Sequence, residues 1–161
     1  MKFIITISNA VYKVEQVMAV ILLSIMTVSL TAGVIFRYFL NNPLMWSGEV
    51  GVFSLIWLTF IGGSMTIKKK KSARLTILVD NLKGSLKKMV ERLCYLIVLV
   101  FVAYFLYIIV HWIQTPSILQ QRSSSMQIKM IYPYLSIVIS FLFMTIHSLS
   151  LLVESFYTKE M

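Results

Sequence analysis

Cysteine and acidic residues are scarce in this chain. A single cysteine, Cys94, excludes an internal disulfide and a thiol oxidase built on cysteine pairs. Only six residues are acidic against fifteen basic ones, and charged residues make up 13% of the 161. A soluble domain has about twice that charged fraction. The sequence therefore excludes an ordinary soluble protein, and Cys94 is best interpreted as a small buried apolar residue.

Long apolar stretches take the place of the missing charge. Hydrophobic residues make up 58% of the chain, and the mean hydropathy is +0.84. Four stretches reach the roughly 20 residues that a membrane-spanning helix needs, at about 17–36, 44–67, 89–113 and 129–153. The first lacks a small-x-small cleavage site and leads into more membrane sequence, so we expect it to be retained. The sequence predicts an all-α membrane protein, with residues 1–161 forming one four-helix integral domain.

The orientation follows from the distribution of lysine and arginine. Residues 68–92, between the second and third helices, hold nine of the fifteen basic residues. With Lys2, Lys13 and Lys159 they place twelve on one side of the bilayer and leave three on the other. Positive loops stay in the cytoplasm, so both termini are predicted to be cytoplasmic. The net charge of +9 then indicates contact with anionic lipids rather than with nucleic acid.

Part of this basic segment has the pattern of a surface helix. Over residues 72–83 the apolar side chains recur at helical spacing, which predicts a short amphipathic arm helix on the cytoplasmic surface. Its apolar residues are Leu75, Leu78, Val79 and Leu82, and the basic residues beside them are Lys68, Lys69, Lys70, Lys71 and Arg74. As an alternative, the four consecutive lysines are simply a stop-transfer cluster.

The most informative segment is the turn between the first two helices. Arg37 precedes Asn41-Asn42-Pro43, and Trp46 and Glu49 follow it. Glu49 is the only ionisable residue between positions 44 and 67, and we expect it to be the only membrane-embedded carboxylate. It lies roughly 7 Å along the second helix, level with the end of the first, so an ion pair with Arg37 is predicted. The alternative is a proton or ion site.

The remaining polar residues are few. The two histidines, His111 and His147, fall on opposite halves of the bilayer, which excludes a shared haem iron; His111 is read as interfacial and His147 as a polar contact in the bundle. We predict no catalytic, cofactor-binding or metal residues. The interior is expected to be otherwise aliphatic or aromatic, which is a poor basis for a complete transporter. Ser47, Gly51 and the Gly62-Gly63 pair are candidates for close helix packing.

Two motifs add a resemblance to this reading. The run Arg37-Tyr38-Phe39-Leu40-Asn41-Asn42-Pro43-Leu44-Met45-Trp46-Ser47-Gly48-Glu49, followed by Trp57-Leu58-Thr59-Phe60-Ile61-Gly62-Gly63, resembles the small membrane subunit of tripartite ATP-independent periplasmic (TRAP) transporters. The matching positions are Arg37, Pro43, Trp46, Glu49, Gly62 and Gly63. The chain departs from the pattern at Gly48, where many relatives have an acid, and at Ala73-Arg74-Leu75, where a histidine is frequent.

The resemblance implies a scaffold role in the bacterial inner membrane. In that family the small subunit binds a large multi-span subunit holding the substrate and sodium sites, and a periplasmic solute-binding protein delivers an organic acid. We expect the hairpin residues, including Trp57, at a subunit interface. The residues expected to meet the periplasmic partner are Asn41, Asn42, Arg122 and Lys129. The alternative is a self-sufficient, homo-oligomeric small channel or carrier.

Overall fold

The computed structural model describes residues 2–69 and 85–157. Over these ranges the chain forms five helices: α1 (Lys2–Tyr38), α2 (Met45–Lys68), α3 (Ser85–Ile113), α4 (Pro116–Gln120) and α5 (Ile131–Tyr157). Within the described part, the β structure is limited to one isolated bridge between Arg122 and Lys129. Four of the helices, α1, α2, α3 and α5, are long and apolar enough to cross a membrane. The prediction of an all-α protein with four spans is confirmed.

The first helix is longer than the predicted span. It begins at Lys2 rather than near residue 17, because the sequence has no proline or glycine before Gly33 to interrupt it. Its 37 residues extend over roughly 55 Å, against about 30 Å for the hydrocarbon core of a bilayer. The extra turns bring Glu15 into the helix interior. The first span predicted from the sequence, at about 17–36, did not include Glu15.

Three of the long helices, α1, α2 and α5, pack against one another, and α3 is attached mainly through α5. α1 packs on α2, α2 on α5, and α5 on α3, while α5 also contacts α1. In the described ranges α1 and α3 do not pack against each other, so each leaves a broad face uncovered. We call the end that holds the α1–α2 connection the hairpin end, and the end that holds the start of α1 and the last turns of α5 the terminal end.

The helix contacts are built on small polar residues. The fully buried side chains include Ile61, His147 and Glu15, but most of the others are serines. The buried serines on the long helices are Ser8, Ser29, Ser47, Ser54, Ser64, Ser136, Ser140, Ser148 and Ser150. The expectation of an aliphatic and aromatic interior was therefore wrong. Membrane helices gain little by burying apolar groups, so close backbone approach through small residues drives their association instead.

The loop after α3 contains more structure than the sequence indicated. Thr115-Pro116 does not merely end the third helix. Pro116 occupies the first turn of α4, where the backbone N–H that proline lacks would have no partner within the helix. A compact loop at residues 121–130 then leads into α5, in which Pro133 lies in the first turn. The predicted arm helix at 72–83 lies outside the described residues, so it and the cytoplasmic placement of the termini remain predictions.

Candidate functional site

The α1–α2 contact depends on two glycines. A Cβ atom placed on Gly33 would overlap the Ser47 side chain, and one on Gly51 would lie 2.7 Å from Leu30 Cδ2. Ser47 itself is buried and donates its hydroxyl proton to the Leu44 carbonyl, 2.8 Å away. The Ser47 and Gly51 spacing singled out in the sequence therefore faces α1.

The connection between the two helices is a tight turn. The backbone N–H of Phe39 donates to Ile35, and that of Asn42 donates to Phe36, which closes the end of α1. Asn41 has a φ of 48°, a left-handed conformation that asparagine tolerates better than most residues. Pro43 then holds an extended path into α2. Both Asn41 and Asn42 are exposed at the hairpin end, where a partner could reach them.

Glu49 is bound by the loop at residues 121–130. Its carboxylate accepts hydrogen bonds from the backbone N–H of Ser125 at 2.6 Å and of Met126 at 3.0 Å. Two consecutive amides directed at one anion form a strong, charge-assisted contact. Among the ion pairs of residues 2–69 and 85–157, none joins Arg37 to Glu49. The predicted pairing is replaced by backbone donors, which carry no signature in the side-chain sequence.

The loop that Glu49 holds is internally bonded. Ser123 Oγ accepts from the Ile128 N–H at 3.2 Å, and the Ser123 N–H donates to the Ile128 carbonyl at 2.8 Å. Arg122 Nη1 donates to the Gln127 carbonyl, and Arg122 and Lys129 lie opposite each other in the bridge. Both cationic side chains are exposed. The structure thus brings the two predicted docking cations side by side, on a loop anchored by Glu49.

Arg37 has a different environment from Glu49. It lies on the last turn of α1, is exposed, and lines a cleft of about 320 Å³ between the ends of α1 and α2. Pro43 and Gly48 line the same cleft. Its guanidinium forms no ion pair with any residue in the described ranges. Arg37 is therefore available to a group outside this chain.

The other hairpin residues occupy separate places along α2. Trp46 is 42% exposed at the hairpin end, as an interfacial anchor would be, and Trp57 is half-buried. A Cβ on Gly62 would meet nothing within 4 Å, whereas one on Gly63 would lie 3.0 Å from Met144 Cε. Gly63 thus faces a side chain of α5, not another backbone. Gly62 leaves a shallow opening on the helix surface.

A second polar cluster lies toward the terminal end and was missed by sequence reasoning. His147 on α5 contacts two residues of α1: its Nδ1 lies 2.8 Å from Ser8 Oγ, and its Nε2 lies 3.1 Å from Glu15 Oε2. All three residues are fully buried. The role predicted for His147, a polar contact in the bundle, is confirmed. Glu15, unlike Glu49, is a fully buried carboxylate, and the one available signal was its position inside an uninterrupted apolar helix.

The remaining candidate groups are isolated. His111 is exposed and packs edge-on against Tyr107, with ring centroids 4.6 Å apart. Cys94 is a free, half-buried cysteine on α3. No group of three or more His, Cys, Asp or Glu side chains in the described part of the chain is placed to hold a metal ion. Of the predicted basic cluster, Lys68 ends α2, and Lys69 Nζ lies 5.7 Å from the Tyr12 ring centroid.

A comparison of the sequence with known protein families identifies the family of this chain. Residues 26–158 match the model of the tripartite ATP-independent periplasmic transporters, DctQ component. The chain belongs to the DctQ family. It is accordingly a TRAP transporter component and a multi-pass protein of the bacterial inner membrane. The match includes the α1–α2 hairpin and the loop at residues 121–130 that Glu49 binds. It begins downstream of Ser8 and Glu15.

Curated relatives carry the same description. A C4-dicarboxylate TRAP transporter small permease protein, DctQ, of Vibrio cholerae is 26% identical over 76 residues, covering 47% of this chain and 33% of the relative. A putative TRAP transporter small permease protein of Haemophilus influenzae is 23% identical over 101 residues, covering 58% of this chain and 63% of the relative. The aligned part is less than two thirds of either relative's length.

Proposed function

We propose that this DctQ-family chain is the small scaffold subunit of a sodium-driven, binding-protein-dependent secondary importer of organic acids. It supports a large multi-span membrane subunit, in which the substrate and sodium bind, and it helps to dock a periplasmic solute-binding protein. This chain needs no cofactor and performs no catalysis. Its family membership supports a role in a tripartite system, and the curated relatives are named small permease proteins.

The state of Glu49 carries the proposal. A carboxylate that served as an ion or proton site would need an open coordination sphere facing a path through the bundle. Glu49 instead directs both of its oxygens at the amides of Ser125 and Met126, at the edge of the protein. Its charge is used to position a loop. That loop presents Arg122 and Lys129, which suits attraction of an acidic patch on a soluble partner.

The uncovered face of α3 suits the large subunit. Tyr104 and Tyr107 are 61% and 64% exposed, and their hydroxyl groups have no hydrogen-bond partner in the described ranges. Tyr104 lies nine residues before the end of α3, roughly 14 Å below the hairpin end and well inside a hydrocarbon layer about 30 Å thick. Lipid chains offer a phenol no acceptor. A neighbouring membrane protein can supply one.

Photocrosslinking tests this placement. A photoreactive benzoyl-phenylalanine at Tyr104 is expected to capture the large subunit in membranes that contain the whole complex. The same probe at Val20, an exposed position on α1, is the matched control and should give only lipid adducts. Capture at position 20 without capture at position 104 would contradict the assignment of the α3 face.

Reconstitution tests the scaffold role itself. Liposomes that contain this chain alone should show no sodium-dependent uptake of organic acids. Adding the large subunit and a loaded binding protein should produce uptake, and a panel of C4-dicarboxylates, sialic acid, and keto and sugar acids would identify the substrate. Uptake by the isolated chain would overturn the scaffold proposal in favour of a small homo-oligomeric carrier.

A further inference from the structure

The buried cluster of Ser8, Glu15 and His147 has a defined geometry. Ser8 and Glu15 lie seven residues apart on one face of α1, so two helical turns, roughly 10.5 Å, separate their backbones. The imidazole of His147 enters between them from α5. Each ring nitrogen meets one oxygen, at 2.8 Å from Ser8 and at 3.1 Å from Glu15. The second carboxylate oxygen, Glu15 Oε1, is buried and has no partner in the described part of the chain.

The same three residue types form a hydrolase triad in other proteins, but this arrangement does not suit that chemistry. A nucleophilic serine must reach a substrate carbonyl, and a group that donates to the oxyanion must lie beside it. Ser8 is fully buried in the second turn of α1. The cluster is closed to any ligand larger than a proton or a water molecule.

The charge of the pair depends on how many protons it holds. A neutral imidazole beside an ionised carboxylate leaves a net charge of −1 in a site without water contact. One added proton makes the pair neutral overall, whether it resides on the ring or on the carboxylate, and a second makes it positive. Burial disfavours net charge, so the state with one added proton is the one best suited to this site.

The hydrogen bonds allow that proton to be gained without loss of a contact. When Nδ1 is bare, the Ser8 hydroxyl donates to it. When Nδ1 is protonated, the hydroxyl rotates and accepts instead. Nε2 donates to Glu15 in both states. The imidazole therefore has an oxygen partner at each nitrogen for either protonation state.

The other charged and titratable groups near this end are engaged elsewhere or point outward. On α1, Lys13 is exposed; directly after α2, Lys69 lies over Tyr12; on α3, Arg92 donates to the Ser155 carbonyl and stacks on Phe156. Among the described side chains toward this end, the other titratable groups are Tyr12, Lys13, Lys68, Lys69 directly after α2, Lys88, Glu91, Arg92, Cys94, Tyr95 and Glu154. Tyr95 donates to Glu91, and Ser150 lies 3.5 Å from Glu154.

From this geometry we propose that Ser8, Glu15 and His147 form a proton-binding site that fastens the first half of α1 to α5. With the proton bound, the site is a bridge between the two helices that has no net charge and an oxygen partner at each ring nitrogen. Its loss leaves an uncompensated negative charge in the contact, which loosens it. The site responds to pH at the terminal end of the bundle, and it is independent of any role in docking or transport.

The two histidines of the chain make a direct test possible. The full-length protein, labelled with ¹⁵N in histidine and ¹³C in glutamate, is reconstituted in lipid nanodiscs and titrated from about pH 5 to about pH 8. His111, which is exposed, is the internal reference. The expected result is that the His147 ring nitrogens and the Glu15 carboxyl carbon change together in one pH step, as a shared proton requires, while the His111 signals change in a separate step. A neutral His147 ring beside an ionised Glu15 across that range would overturn the proposal.

Variants separate proton binding from a fixed structural hydrogen bond. Glu15→Gln keeps the shape and removes the charge, so the pH response of the His147 signals should differ from that in the unaltered chain, while that of His111 stays in place. Glu15→Asp should restore part of the response of the unaltered chain. An unchanged His147 response in folded Glu15→Gln would contradict the proposal. Were Glu15→Gln to fail to fold, the comparison of His147 with His111 in the unaltered chain would still decide.

Discussion

Glu49 on α2 and Ser125 in the loop at residues 121–130 are joined by a 2.6 Å hydrogen bond across 76 positions of sequence. The adjacent amide of Met126 donates to the other carboxylate oxygen. A side chain at the start of one membrane helix thus fixes the loop that precedes another. The shape of the loop surface that carries Arg122 and Lys129 depends on this one carboxylate.

Removal of the Glu49 charge should free the loop. In Glu49→Gln, hydrogen exchange at the Ser125 and Met126 amides is expected to accelerate about tenfold or more, because a hydrogen bond to a charged acceptor is replaced by a weaker one. Mass spectrometry of the peptide around residues 121–130 measures this. Arg37→Gln is the matched control and should leave the exchange unchanged. Equal acceleration of exchange in both variants would support a direct Arg37–Glu49 ion pair instead.

Gly33 should be intolerant of a side chain. The Cβ of Gly33→Ala would overlap Ser47, which forces α1 and α2 apart and lowers the free energy of unfolding by about 1–3 kcal/mol. Gly48→Ala is the control, since a Cβ there meets nothing within 4 Å and alanine favours a helix by up to about 1 kcal/mol. Denaturant titration in detergent micelles measures both. A destabilised Gly48→Ala beside an unaffected Gly33→Ala would contradict the packing.

Arg122 and Lys129 should control the speed of docking more than its strength. The double variant Arg122→Gln/Lys129→Gln is expected to slow association of the solute-binding protein with the complex, by about tenfold at low ionic strength. Its dissociation rate should change little. Surface plasmon resonance at several salt concentrations separates the two rates. Lys13→Gln, an exposed cation of α1 toward the other end, is the control. A change confined to dissociation would indicate a buried contact instead.

The arm helix predicted at 72–83 can be tested by cysteine scanning in a Cys94→Ser background. A helix on the membrane surface should protect Leu75, Leu78, Val79 and Leu82 from a water-soluble maleimide and leave Lys83 reactive, with a helical period. Uniform labelling would indicate a simple stop-transfer loop. The side of the membrane from which the reagent reacts would also report the orientation of the chain.

The spans could be predicted from the sequence because apolar runs of membrane length have few alternatives to a helix in lipid. The hydrogen-bond partners of Glu49 and Glu15 could not be predicted from the sequence. Arg37 was the nearest opposite charge to Glu49 along the chain, but backbone amides of a distant loop bind it, and every residue has such an amide. Glu15 and His147 are separated by 132 positions, and no local periodicity connects them. Long-range polar contacts depend on how the helices pack, which hydropathy does not record.

The attachment of α3 mainly through α5 also has a consequence for how this protein enters the membrane. α3 packs chiefly on α5, which is synthesised after it, so α3 must cross the bilayer while it still lacks its main partner. α2 inserts beside an α1 that is already in place. The apolar windows match this order: that of α3 is the most hydropathic of the four, and that of α2 the least. A helix that enters lipid alone must be apolar enough to partition into the bilayer by itself. A helix that enters beside a neighbour can carry serines, because they lie in the helix contact and not against lipid.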